Sequence, residues 1–147
     1  MRYLLDTNIL LIYMRDNDKS ARIDQQFDPL GANNVPIISV VTIGEIRSLA
    51  IRNRWGTRRL QQLDKLLGQL VIADIYVEEV IQLYAEIDAF SQGMLPGKPL
   101  GISARNMSKN DLWIAATAAV ANLRLLTTDK DFGHLHVNFI DLVEIEV

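Results

Sequence analysis

The chain has 147 residues, 49% of them hydrophobic, with 15 basic and 18 acidic side chains and a formal charge of −3. That much apolar material in a chain this short is enough for one core, so a single domain over residues 1–147 is expected. The lack of cysteine excludes disulfides, thiolate metal sites and cysteine nucleophiles, and two histidines, His134 and His136, are too few for a histidine-rich zinc site. Any metal must sit on carboxylates.

Along the chain, apolar runs read as buried parallel strands at Tyr3-Leu4-Leu5, Val35 to Val40, Leu70-Val71-Ile72, Leu125-Leu126-Thr127 and Val137 to Ile140. Helical patterns lie between them. Ile9 to Met14 is short, and Thr42 to Arg54 carries Ile43, Ile46, Leu49 and Ala50. Leu60, Leu63, Leu66 and Leu67 mark another, and Val77, Val80, Ile81, Tyr84 and Ile87 mark a longer one ending near Gly93. The last, Asp111 to Asn122, is rich in alanine and suited to close packing on a sheet. Strands alternating with helices predict parallel pairing through right-handed crossovers, hence an α/β fold in three layers around a mainly parallel sheet of about five strands. No apolar run reaches the roughly 18 residues that span a bilayer. Met1-Arg2-Tyr3-Leu4-Leu5-Asp6 also meets an acid too early for a signal peptide, so a cytoplasmic protein is expected.

One stretch, Gln92 to Met107, is irregular for long. Its glycines and prolines forbid regular structure, while its apolar residues and cations set it apart from a passive linker. It reads as a functional loop leading into Asp111, with Lys98, Arg105 and Lys109 as candidate phosphate-binding residues.

Four carboxylates, Asp6, Glu45, Asp111 and Asp129, fall where a predicted strand ends or a predicted helix begins. In an open parallel sheet these positions converge on one rim, so acids remote in sequence meet there. Sharing a rim, they repel one another unless a hard cation such as Mg²⁺ or Mn²⁺ neutralises them. Each acid also has a plainer reading. Thr42-Ile43-Gly44-Glu45 and Ser108-Lys109-Asn110-Asp111 fit the helix capping box, Asp6 could cap the helix near Ile9, and Asp129 could be a turn residue. Setting the four aside leaves 14 acidic against 15 basic side chains, a balance of about +1. The cations cluster at Arg47, Arg52, Arg54, Arg58, Arg59 and Lys65, and again before Asp111.

The blocks Leu5-Asp6-Thr7-Asn8, Ile43-Gly44-Glu45-Ile46, Asn110-Asp111-Leu112-Trp113-Ile114-Ala115 and Leu126-Thr127-Thr128-Asp129-Lys130-Asp131-Phe132 together resemble the PIN-domain ribonucleases, most closely the VapC-type toxins of toxin–antitoxin pairs. Any one block is weak; four in order are specific. The resemblance implies a PIN-like fold and hydrolysis of RNA phosphodiesters with Mg²⁺ or Mn²⁺ held by Asp6, Glu45, Asp111 and Asp129. It implies supporting roles for Asn8, for a hydroxyl placed at Thr128 or Thr7, and for Asp131. It further implies a tRNA or rRNA target, a homodimer and a VapB-type antitoxin; Ile46, Leu49, Leu63, Leu66 and Leu67 are candidates for that pairing or for the antitoxin's groove, with burial in the chain's own core the alternative for some of them.

Two rivals are weighed. A receiver or haloacid-dehalogenase-like phosphatase also has an Asp after its first strand. A receiver, however, needs an aspartate at the end of the central strand, where Ile37-Ile38-Ser39-Val40 stands, and a phosphatase needs a second Asp where Asn8 stands. A non-catalytic PIN-like RNA-binding module is the other, and the full acid set argues against it.

Overall fold

The computed structural model describes residues 1–146. Its sheet has five strands in the order β3-β2-β1-β4-β5, all pairs parallel. These are β1 (Arg2–Leu5), β2 (Val35–Ser39), β3 (Val71–Ala73), β4 (Arg124–Thr127) and β5 (Asp141–Glu144). The helices are α1 (Thr7–Arg15), α2 (Asn17–Gln26), α3 (Val40–Arg52), α4 (Thr57–Leu67), α5 (Glu78–Ser91) and α6 (Lys109–Ala121).

Pleating sorts neighbouring strand residues into two cores. Leu4, Ile37 and Leu125 pack with Val80, Ile87 and Phe90 of α5 and with Leu112, Ile114 and Ala115 of α6. Their neighbours Leu5, Ile38 and Leu126 pack on the other face with Ile9 and Leu10 of α1, Ile23 of α2, Ile46 of α3 and Leu63 and Leu66 of α4. This gives the three layers, and the small side chains of α6 let it lie close on the sheet. Of the two fates weighed for them, Ile46, Leu63 and Leu66 take burial in the core; Leu49 and Leu67 remain half-buried. Among the described residues no helix is long and apolar enough to cross a membrane.

Three elements depart from expectation. Strand β3, expected to be buried, lies at the edge of the sheet with Val71 and Ile72 exposed. Helix α2 buries only Ile23, so no apolar stripe announces it in the sequence; its cap Asp16, which accepts from the Lys19 amide at 3.0 Å, is its local cause. The last strand begins at Asp141 and not at Val137, because Val137 has φ 70° and its amide donates to the Ile140 carbonyl at 2.9 Å, closing a turn.

The Gln92–Met107 segment is irregular but held. Gly93, Gly97 and Gly101 have φ of 75°, 76° and 77°, a region costly for other residues. The Arg105 amide donates to the Ser91 carbonyl at 2.7 Å. The buried Ser91 hydroxyl pairs with His134 Nε2 at 2.7 Å and meets Met107 Sδ at 3.4 Å. The loop's exit into α6 is thereby fastened to α5 and to the short 3₁₀ turn Gly133–Leu135.

Candidate active site

Asp6 follows β1, and its amide donates to the Leu126 carbonyl of β4 at 3.1 Å. Its Oδ1 caps α1 by accepting from the Thr7 amide at 2.8 Å, and its Oδ2 accepts from the Thr127 hydroxyl at 2.7 Å. The same hydroxyl accepts from the Asp129 amide at 2.9 Å. One buried threonine thus ties the first acid to the fourth.

Glu45 and Asp111 arrive on helices. Ser39 caps α3, accepting from the Val41 amide at 3.1 Å, so Glu45 lies in the second turn and the capping-box reading of Thr42 and Glu45 fails. Glu45 is free to face the cleft, where the Thr7 hydroxyl donates to it at 3.3 Å. Ser108 does cap α6 by accepting from the Asp111 amide at 3.2 Å, and Asp111 still reaches the same cleft. Capping and cleft-facing coexist there and at Asp6.

All four acids line one open cleft of about 700 Å³, together with Asn8, Asn110 and Trp113; Arg52 is its one lining cation. Burial, reinforced by the charges of Asp6 and Asp129, pushes Asp111 up to about 7. Burial also raises Asp6, against its bonds from Thr127 and Thr7, and burial followed by the charge of Asp6 raises Glu45. Carboxylates that hold protons this tightly lack a counter-charge. Asp131 is exposed and raised first by the charge of Asp129, whose Oδ1 accepts from the Asp131 amide at 2.9 Å. Oxygens of Asp111, Asp129 and Asp131 lie within 4.8 Å of one another.

The PIN domain family matches residues 3–137. This chain belongs to the PIN-domain family. Among curated relatives it is similar to "Ribonuclease VapC1" of Haemophilus influenzae strain R2866, 26% identical over 136 residues and covering 92% of each chain. Among solved structures it resembles VapBC2 from Rickettsia felis bound to a promoter DNA fragment, at TM-score 0.75 and 22% identity, covering 99% of this chain and 100% of that one. It also resembles VapBC-1 from nontypeable Haemophilus influenzae, at TM-score 0.71 and 21% identity over 98% of both chains. The fold is the PIN fold.

Within this PIN domain the supporting residues divide. Asn8 lines the cleft. Thr128 does not; it lines a neighbouring furrow, because alternation along β4 turns Thr127 toward Asp6 and Thr128 away. The hydroxyl expected at Thr128 is supplied by Thr127. Of the expected phosphate-binding residues, Lys98 donates to the Asn138 carbonyl at 3.2 Å and lies 4.3 Å from the Phe139 ring centroid, outside the cleft lining. Arg105 shares a small cavity with Asp131 and lowers that acid's proton affinity. Lys109 is exposed in the first turn of α6, where Asn110, its neighbour, is the residue that lines the cleft and bonds to Glu45. The sequence reading gave no role to Thr127 or Asn110, and named Arg52 only within a basic cluster. Strand alternation counted from Leu125 and Leu126 is a signal that could have chosen Thr127.

The donor set is carboxylate oxygen with nearby amide and hydroxyl oxygen and no sulfur or imidazole, which fits a hard divalent cation. Oxygens of Asp111, Asp129 and Asp131 are close enough together to share such an ion, and Asp6 and Glu45 line the same cleft.

Proposed function

We propose that this PIN domain is a divalent-metal-dependent endoribonuclease, the toxin of a toxin–antitoxin pair, with Asp6, Glu45, Asp111 and Asp129 as its catalytic and metal-holding acids. The observation that carries this reading is the gathering of four carboxylates in one open cleft, with Asp111 pushed up to about 7. The ribonuclease name of the Haemophilus relative and the VapBC complexes among the structural neighbours support it.

A bound Mg²⁺ or Mn²⁺ would activate water and stabilise charge on the phosphoryl group. The chain itself contributes positioning. Thr127 fixes Asp6 and Asp129 relative to each other, Thr7 and Asn110 orient Glu45, and the Ser108 cap sets the turn that presents Asp111. Asn8, at the mouth of the cleft, is placed to orient water or a phosphate oxygen. A structured RNA such as tRNA or rRNA is the proposed substrate, with target bases splayed from helices. A VapB-type antitoxin and a second copy of the chain are the proposed partners, in the cytoplasm.

The deciding experiment is cleavage of total tRNA and rRNA with Mn²⁺, with Mg²⁺ and with chelator. The native chain should cut only with metal, and Asp111→Asn should lower the rate at least about 10²-fold, a loss of several kcal/mol of charge stabilisation. Cleavage indifferent to chelator, or retained by Asp111→Asn and Asp6→Asn alike, refutes the reading.

A further inference from the structure

A second concavity, a furrow of about 300 Å³, opens beside the acid cleft, lined by Leu11, Ile12, Arg15, Lys19 and Thr128. Asn8 and Leu11 line both, so the two adjoin. Its charge is opposite in sign to that of the cleft. Arg15 and Arg59 are both gathered against the Trp55 ring, their guanidinium carbons 5.8 Å and 5.3 Å from its centroid, and neither has an ion-pair partner among the described residues. Asp16 is the one acid among the described residues lining the furrow; its carboxylate caps α2 and pairs with Lys19 at 3.6 Å, a weak exposed contact that a phosphate can displace.

We propose that this furrow binds the RNA strand flanking the cleaved phosphate, with Arg15 and Lys19 contacting its backbone phosphates. The inference rests on the ribonuclease reading of the cleft and adds a binding tract that the sequence did not mark. Arg15 has no ion-pair partner among the described residues, so its guanidinium is open to a phosphate. A strand whose scissile phosphate lies among carboxylates needs cations on the neighbouring phosphates, or the acid field expels it. The distance suits this. Arg15 is seven residues beyond Asn8 on the same helix, about 10 Å along its axis at about 1.5 Å per residue, so the cations meet phosphates near the cut and not the reacting one. Leu11 and Ile12, half-buried along the floor, offer an apolar surface to sugars and bases.

The test uses a fluorescent single-stranded polyuridine oligonucleotide and the full chain carrying Asp111→Asn, in Mg²⁺ buffer. Adding Arg15→Ala with Lys19→Ala should raise Kd at least about tenfold at 0.1 M salt. The slope of log affinity against log salt should become shallower by about 1.4, for two phosphate contacts at about 0.7 each on a single strand. Lys19→Glu alone, which leaves the Arg15–Trp55 contact in place, should also raise Kd. In the otherwise native chain the double substitution should raise KM for RNA. If both variants keep the parent Kd and salt slope, the proposal is overturned and the furrow is left to a polypeptide. Failure of the native chain to cut RNA with metal would instead sink the ribonuclease reading, so the two failures are distinguishable.

Discussion

The two halves of the acid cleft are built differently. Asp6 and Asp129 stand at the ends of central strands and are locked together through the Thr127 hydroxyl, with Asp6 also bonded to the Thr7 amide. Glu45 and Asp111 hang from helices on opposite layers, meet few partners and are pushed toward the protonated form chiefly by burial. Burial raises Asp6 as well, against those bonds, so both halves carry an electrostatic load; what differs is that hydrogen bonds hold the strand half in place. Removing one of those bonds should therefore cost stability, whereas removing the Asp111 charge should relieve the fold.

Breaking the anchor should have the largest effect on stability. Thr127→Val keeps the shape but leaves a buried Asp6 oxygen and the Asp129 amide without their shared partner, at a cost of about 2 kcal/mol. In a chain of this size that lowers Tm by roughly 4–8 °C. Thr127→Ser should restore most of it. A Thr127→Val melting curve that overlays the native one would mean the hydroxyl anchors nothing.

The helical half should behave in the opposite sense. Asp111→Asn removes a charge that the metal-free fold holds at a cost, so it should raise the metal-free Tm by roughly 2–4 °C, after discounting for the solvent that still reaches the group. Asp6→Asn, which forfeits a carboxylate bonded on both oxygens, should not. Equal shifts for the two variants, followed by differential scanning fluorimetry, would erase the distinction between the halves.

The same load sets the pH response. Asp111 titrates at about 7 in the folded chain and near 4 when unfolded, so between those values the folded state holds a proton that the unfolded state has lost. Metal-free stability should fall as pH rises through that window and level off above it, and the fall should be shallower in Asp111→Asn. Metal competes with that proton, so millimolar Mn²⁺ should raise Tm more at pH 8 than at pH 6. A metal-induced shift equal at both values would separate Asp111 from the metal.

The smallest effect should come from Lys98→Ala. Its ammonium is already engaged by the Asn138 carbonyl and the Phe139 ring, so RNA affinity should change less than about twofold and the salt slope should hold. A slope reduced by a full phosphate contact would return Lys98 to the substrate face.

Sequence by itself determined four of the five strands and the meeting of the four acids at one rim. Adjacent apolar pairs such as Leu4-Leu5 and Leu125-Leu126 can be buried only where both faces of a parallel strand are covered, and the acids that follow such strands, or open helices beside them, must share a rim. Helix α2 stayed hidden because one buried isoleucine among polar residues has no periodicity to show. Tertiary structure alone decided which neighbours of the acids matter. Thr127 and Thr128 are chemically identical, and only the phase of β4 turns one toward Asp6. Lys98 reads as a free cation until the fold lays Phe139 and Asn138 against it, whereas Arg15, unremarkable in the sequence, is carried by α1 to a furrow that adjoins the acid cleft. Periodicity is written locally and survives in the sequence. Which polar side chains meet across 121 residues, as Thr127 and Asp6 do, depends on how the layers close.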